Sequence, residues 1–180
     1  REWSLLTVLL LCLVSWLCVS DGLQRVDHLI HDAGGRLHAP EANRDIVIVA
    51  IDDRSIETIG RWPWRRALHA QLLDQISRGQ PRAIGMDIVF SEEDLDYPSD
   101  DVLLARAIAG SARVVLPISR SAMGQAAYPL PRFAQAAATL GHTQLAMDAD
   151  GVVRGFYGTE GPSTAPLWHM ALAMHCLGAT

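Results

Sequence analysis

The stretch from Asp52 to Arg66 concentrates the residues whose types could do chemistry: Asp52-Asp53-Arg54-Ser55, then Gly60-Arg61-Trp62-Pro63-Trp64-Arg65-Arg66. Asp52 and Asp53 follow an apolar β-branched run, and Asp87 and Glu92 stand at and beyond a second one. Three or four carboxylates on one rim would suit a hard cation such as Mg²⁺ or Ca²⁺, and a held cation could serve hydrolysis. Trp62, Trp64, Arg65 and Arg66 complete the set of candidate ligand contacts. Each of these residues also has a structural use. Asp53 or Ser55 is of the right type to cap a following helix, and Asp87 inside an apolar strand calls for a partner such as Arg65 or Arg66. The two tryptophans bracket a proline that stiffens the approach to the next helix, and rings of that size commonly anchor a loop on a core. No carboxylate spacing matches a known cation loop, so no metal and no cofactor is assigned.

Other chemical motifs are weaker. Asp148-x-Asp150-Gly151 begins like a calcium loop but lacks the earlier acid and the distal glutamate, and a hairpin turn accounts for it. His28 and His31 are one helical turn apart without a third partner of clear geometry, and His169 and His175 do not make an i, i+4 pair. No G-x-G-x-x-G, P-loop or G-x-S-x-G is present, and nothing orders Ser, Asp and His into a triad. Of the three cysteines, Cys12 and Cys18 lie in an apolar run. That leaves Cys176, read as a small buried hydrophobe, so a disulfide framework is excluded.

The elements that must position these residues follow from periodicity. Residues 46–51 (IVIVAI) and 83–90 (AIGMDIVF) read as strands buried on both faces, as in a parallel sheet, and 113–118 (RVVLPI) as a third strand. Between them, 54–59 ends at Gly60, 66–77 carries Leu68, Leu72, Leu73 and Ile76 on one helical face before Gly79, and 99–109 has Ser99 and Asp100 available as caps. This strand–helix alternation predicts an α/β fold, a mostly parallel sheet flanked by helices. A helix at 132–139, a hairpin of 143–147 with 152–157, a loop at 159–166 and a helix at 167–177 complete it. In open sheets of this kind ligands collect outside the carboxyl ends of the strands, where Asp52 and Asp53 would fall.

Composition narrows the class. The 180 residues include 15 basic ones against 20 acidic, giving a net charge of −5, and every basic residue is arginine. Without a basic cluster the chain lacks the footprint of a nucleic-acid binder. Trp3 to Val19 carry no charge. As a helix this run spans roughly 25 Å, close to the ~30 Å hydrocarbon thickness, and it is longer than the core of a cleaved signal peptide. The expected organisation is therefore a transmembrane anchor at 1–20, a membrane-proximal helix (22–33, stopped by Gly34-Gly35) and linker over 21–45, and a domain at 46–180 on the outer face. The first residue is Arg1, so a basic cytoplasmic flank is expected to precede it.

The segments IVIVAIDDRSIETIGRWPWRRALHAQLLDQI, AIGMDIVFSEED, DVLLARAI and HTQLAMDADGVVRG resemble the CHASE2 domain over about residues 23–178. That resemblance implies an extracytoplasmic sensory domain of a bacterial transmembrane receptor, at the cell inner membrane with its sensor part periplasmic or extracellular. It implies further membrane helices and a cytoplasmic histidine kinase, nucleotide cyclase or Ser/Thr kinase beyond this chain. It marks Asp52, Asp53, Ser55, Gly60, Trp62, Pro63, Trp64, Arg66 and Asp87 as family-like positions without assigning them roles. The expected partners are an unidentified small-molecule or ionic signal, the membrane and a second copy of the chain. The rival reading is an anchored extracytoplasmic hydrolase using Asp52, Asp53, Asp87 and Glu92 to hold a metal.

Overall fold

A computed structural model describes residues 2–19, 24–39, 41–120 and 125–179. Contacts divide the chain into two compact units, Arg1–Ile51 and Asp52–Thr180.

Among the described residues the first unit holds the helices α1 (Glu2–Val19) and α2 (Gln24–Leu37). The leucines and valines of α1 from Leu5 to Val14 are exposed. No helix among the described residues is long and apolar enough to cross a membrane. In α2, Asp27 in the first turn and Arg36 in the last complement the helix dipole. The expected stop at Gly34-Gly35 does not occur: the helix runs through both and the His38 N–H closes on the Gly34 carbonyl at 3.0 Å. Glycine in a helix costs about 1 kcal/mol each but forbids nothing. The expected start at residue 22 lies outside the described residues.

The predicted strand at 46–51 is also corrected. Among the described residues it joins no ladder, and Val47 and Ile48 are 81% and 85% exposed. A β-branched run shows that a segment suits burial. It does not supply the neighbouring backbone that makes a strand.

The second unit starts with α3 (Asp53–Ile59), ended by Gly60 at φ 114°, a backbone that favours glycine. After a cis Trp62–Pro63 peptide comes α4 (Arg66–Arg78). Gly79 follows it in the right-handed region, and Gln80 takes the left-handed turn at φ 50°. Then β1 (Ile84–Gly85), α5 (Pro98–Ser111), β2 (Val114–Arg120), α6 (Pro131–Ala136) and β4 (Thr139–His142) build the central layer. β2 lies between β1 and β4 and is parallel to both, with Ile84 opposite Val114 and Leu116 opposite Leu140. The short β3 (Ala126–Ala127) joins β2 antiparallel.

The sheet is buried on both faces. Val114 and Leu116 face a core with Leu73, Leu104, Ile108 and Phe133 from α4, α5 and α6. Val115, pointing the other way as strand pleating requires, meets Met170 and Ala173 of α7 (Met170–Ala179). This explains the unbroken apolar run of β2.

The expected helix at 132–139 is shorter: α6 ends at Ala136 and β4 begins at Thr139, because Leu140 and Gly141 pair with Leu116 and Pro117. The first hairpin is β5 (Leu145–Met147) with β6 (Val153–Phe156) around Gly151. The expected loop at 159–166 is a second hairpin, β7 (Thr159–Glu160) with β8 (Leu167–Trp168), which takes the start of the predicted last helix. Cys176 is exposed rather than buried, because α7 turns Ala173 and not Cys176 to the sheet.

Candidate functional site

Because β1, β2 and β4 are parallel, their carboxyl ends share one edge of the sheet, where ligands gather in open α/β folds. Among the described residues of the second unit, two side-chain clusters stand out.

The first joins the starts of α4 and α5. Two helix N-termini side by side present unpaired N–H groups and positive dipole ends. Asp100 and Asp101, in the first turn of α5, answer both. Arg65 donates to Asp100 through Nε to Oδ2 at 3.0 Å and through Nη2 to Oδ1 at 3.1 Å, and Oδ2 also accepts the Ala67 N–H at 3.3 Å. Asp100 thereby caps α4, whose own flanking residue, Arg65, makes no side-chain cap. The Arg65 hydrogen bond holds the Asp100 carboxyl below the usual carboxylate range, and the same bond raises Arg65. Arg65 also lies 3.7 Å over the Tyr97 ring. Arg66 donates to Asp101 and to the backbone carbonyl of Glu92, and its guanidinium lies over both Phe90 and Phe133, 5.5 and 5.6 Å from the ring centres. Arg132 reaches Asp101 from α6 at 3.7 Å. Both aspartates are buried.

Asp100 is therefore not the cap of its own helix, as expected; the α5 flank is Tyr97, followed by Pro98. Nor do Arg65 and Arg66 neutralise Asp87, which is exposed. The forked guanidinium groups go to the carboxylates that α5 brings into the interior.

An aromatic cluster continues this site. The His69 ring is 5.6 Å from Trp62, 6.3 Å from Trp64 and 5.6 Å from Phe90. Trp64 donates Nε1–H to the Gly60 carbonyl at 2.7 Å, which fixes the turn before α4. Trp62 keeps 39% of its surface exposed. His69 is buried with Nε2 unpartnered, and burial, followed by the charge of Arg66, pushes its imidazole below the ordinary range.

The carboxylates of the metal hypothesis are not gathered. Asp52, rather than Asp53 or Ser55, caps α3: its Oδ1 accepts the Ser55 N–H at 2.9 Å and hydroxyl at 2.5 Å, which lower its carboxyl. The chain turns from extended to helical at Asp52, so only its side chain can reach the free N–H groups. Asp53, Asp87 and Glu92 are exposed, and among the described residues these acids form no group of three with ligand atoms within 4.8 Å of one another.

The second cluster lies at the carboxyl end of β4. His142 and His169 pair across a parallel bridge, rings 5.2 Å apart and nearly perpendicular at 87°. Phe156 covers His169 at 4.8 Å. Arg120, ending β2, holds Glu160 of β7 at 3.3 Å. Burial pushes the His142 imidazole below the ordinary range; Glu160 opposes this, while His169 and Arg120 add to it.

Sequence reasoning missed Asp100, Asp101, His69, His142 and His169 as site residues. For the aspartates a signal existed, two acids at the head of an apolar helix; for the histidines, 142 and 169, spacing carries none.

No curated protein and no solved structure matches the chain. A family model does, the CHASE2 domain, over residues 6–179. The match takes in both clusters, the Trp62–Arg66 turn and all the strands of the described residues. The chain belongs to the CHASE2 domain family, sensory domains of signalling receptors.

Proposed function

We propose that this chain is the extracytoplasmic sensing part of a membrane-bound bacterial receptor, passing a conformational signal to a cytoplasmic kinase or cyclase module. The observation that carries the reading is the CHASE2 match, which covers residues 6–179. In this reading the uncharged run from Trp3 to Val19 holds the chain at the inner membrane, although its helix by itself falls short of a full span, and the signalling unit is a homodimer. A ligand shifts such a receptor only by binding one arrangement better than another; a tenfold preference corresponds to about 1.4 kcal/mol.

The geometry guides where a small-molecule or ionic signal would meet the domain. Arg65 and Arg66 are already committed to Asp100 and Asp101, and Trp64 to Gly60. The open part of the set is the exposed face of Trp62 with the carboxylates of Asp53, Asp87 and Glu92. The hydrolase alternative loses support because those acids are dispersed.

A topology fusion tests the reading. Alkaline phosphatase, active only where its disulfides form, is joined after Thr180 and expressed in a Gram-negative host. Activity equal to that of an exported control is expected. An inactive fusion, paired with a fluorescent green fluorescent protein fusion at the same point, overturns the outer location.

A further inference from the structure

Both imidazoles at the end of β4 accept hydrogen bonds from backbone amides. The Gln144 N–H donates to Nδ1 of His142 at 3.3 Å, and the Ala171 N–H donates to Nδ1 of His169 at 3.2 Å. An accepting Nδ1 carries no proton, so in the neutral rings the proton sits on Nε2. Both Nε2 atoms are buried and unpartnered. This arrangement disfavours a metal, which would need an Nε2 lone pair, and it tolerates no second proton. His169 also sets the start of α7: its carbonyl accepts the Ala173 N–H at 2.9 Å while its ring accepts that of Ala171, so it acts as the helix cap.

We propose that His142 and His169 form an acid-sensitive latch that holds the first turn of α7 against the carboxyl end of β4 and releases it on protonation. A solvent proton added to either Nδ1 turns that acceptor into a donor facing an N–H donor. The bond is lost, and a positive charge is left beside the other ring. At His169 the new charge also stands at a helix N-terminus, where the dipole opposes it.

The charged groups around the pair set the direction. Glu160 on β7 favours the cation and is itself held by Arg120 from β2, which disfavours it. Arg154 on β6 is engaged with Asp148 and Asp150, and on α7 His175 and Cys176 are exposed. Burial of His142 places its titration on the acid side of an ordinary histidine.

The latch needs the sensor reading only for its consequence, that a fall in pH would be a stimulus; its test reads the domain itself. Hydrogen exchange of the Gln144 and Ala171 amides is followed in the 180-residue chain at pH 8 and pH 4.5, corrected for intrinsic rates. At least tenfold loss of protection at both is expected at the lower pH, with α5 unchanged. In His169→Asn, whose amide oxygen accepts without titrating, the Ala171 loss disappears and the Gln144 loss stays. Equal protection at both pH values in the parent chain, or an unchanged Ala171 loss in the variant, overturns the latch. Imidazole ¹⁵N shifts of the unsubstituted chain at pH 8 provide a check that needs no variant. Nε2–H tautomers at both histidines are expected, and an Nδ1–H at either overturns the proposal. A failed phosphatase fusion would leave these outcomes untouched.

Discussion

Arg65 of the α4 entry grips Asp100 of α5 with two parallel hydrogen bonds, and the same carboxylate caps α4 through the Ala67 N–H. One buried acid thus ties the starts of two packed helices. Asp100→Ala removes the cap and leaves the N–H of Ala67 unsatisfied; a loss of about 1–3 kcal/mol is expected in urea unfolding. Asp100→Asn keeps an acceptor for the cap and loses less.

The same pair sets a pH response. Asp100 has its folded carboxyl lowered, first by the Arg65 bond, so its contribution is complete above the unfolded value of about 3.8 and is lost as pH falls below it. Between pH 5 and 3 the parent chain is expected to lose more stability than Asp100→Asn, read from paired denaturation curves. Equal slopes would mean that the pair does not couple to folding.

Arg66 and Asp101 form the more deeply buried pair, with 12% and 1% of their side chains exposed. Removing Arg66 leaves the buried Asp101 only the more distant Arg132 at 3.7 Å, so Arg66→Ala is expected to cost about 3 kcal/mol, the low end for breaking a buried pair. Arg66→Lys retains charge but cannot fork to both Asp101 and the Glu92 carbonyl, and should recover only part of the loss. The double change Arg66→Met with Asp101→Leu should be more stable than Arg66→Ala alone, since no orphaned charge remains. Chemical denaturation of the three variants orders them.

Much of this arrangement was legible from residues alone. The Val114–Ile118 run, the helix of Leu68, Leu72, Leu73 and Ile76, and the Asp148–Gly151 turn follow from period and turn chemistry, and the structure has all three. The partners of Arg65 and Arg66 were not legible, because Asp87 and Asp100 are equally good acids until the fold buries one and exposes the other. β4 was missed for a related reason: Thr139-Leu140-Gly141-His142 has no strand signature, and pairing with β2 makes it a strand. Residues 46–51 are the converse, a strong local pattern without a ladder among the described residues.

Gly141 and Gly85 separate two kinds of crowding. A Cβ on Gly141 would lie 2.6 Å from the Met170 Cα and 3.0 Å from its nitrogen, fixed backbone at the head of α7. On Gly85 it would lie 2.4 Å from the Met174 sulfur, the end of a flexible side chain that can swing away. Gly141→Ala is therefore expected to destabilise by about 1–3 kcal/mol and to loosen α7, whereas Gly85→Ala should cost under about 1 kcal/mol. Thermal unfolding compares them, and an inverted order would mean that α7 is not seated on β4 as described.

His69 tests whether the aromatic cluster needs its imidazole. Nε2 is buried without a partner among Trp62, Trp64 and Phe90, a position an apolar side chain could fill without leaving a polar atom stranded. His69→Leu is expected to be neutral or stabilising by about 1 kcal/mol at pH 7. The folded imidazole is lowered, first by burial and then by Arg66, so protonation favours the unfolded chain and stability falls as pH drops below about 6.5. His69→Leu should shrink that fall without abolishing it, because His142 titrates in the same direction through the same range. Urea midpoints of both proteins at pH 7.5, 6 and 5 measure the difference. A larger loss for the variant at pH 7 would show that the ring makes a contact that leucine cannot replace.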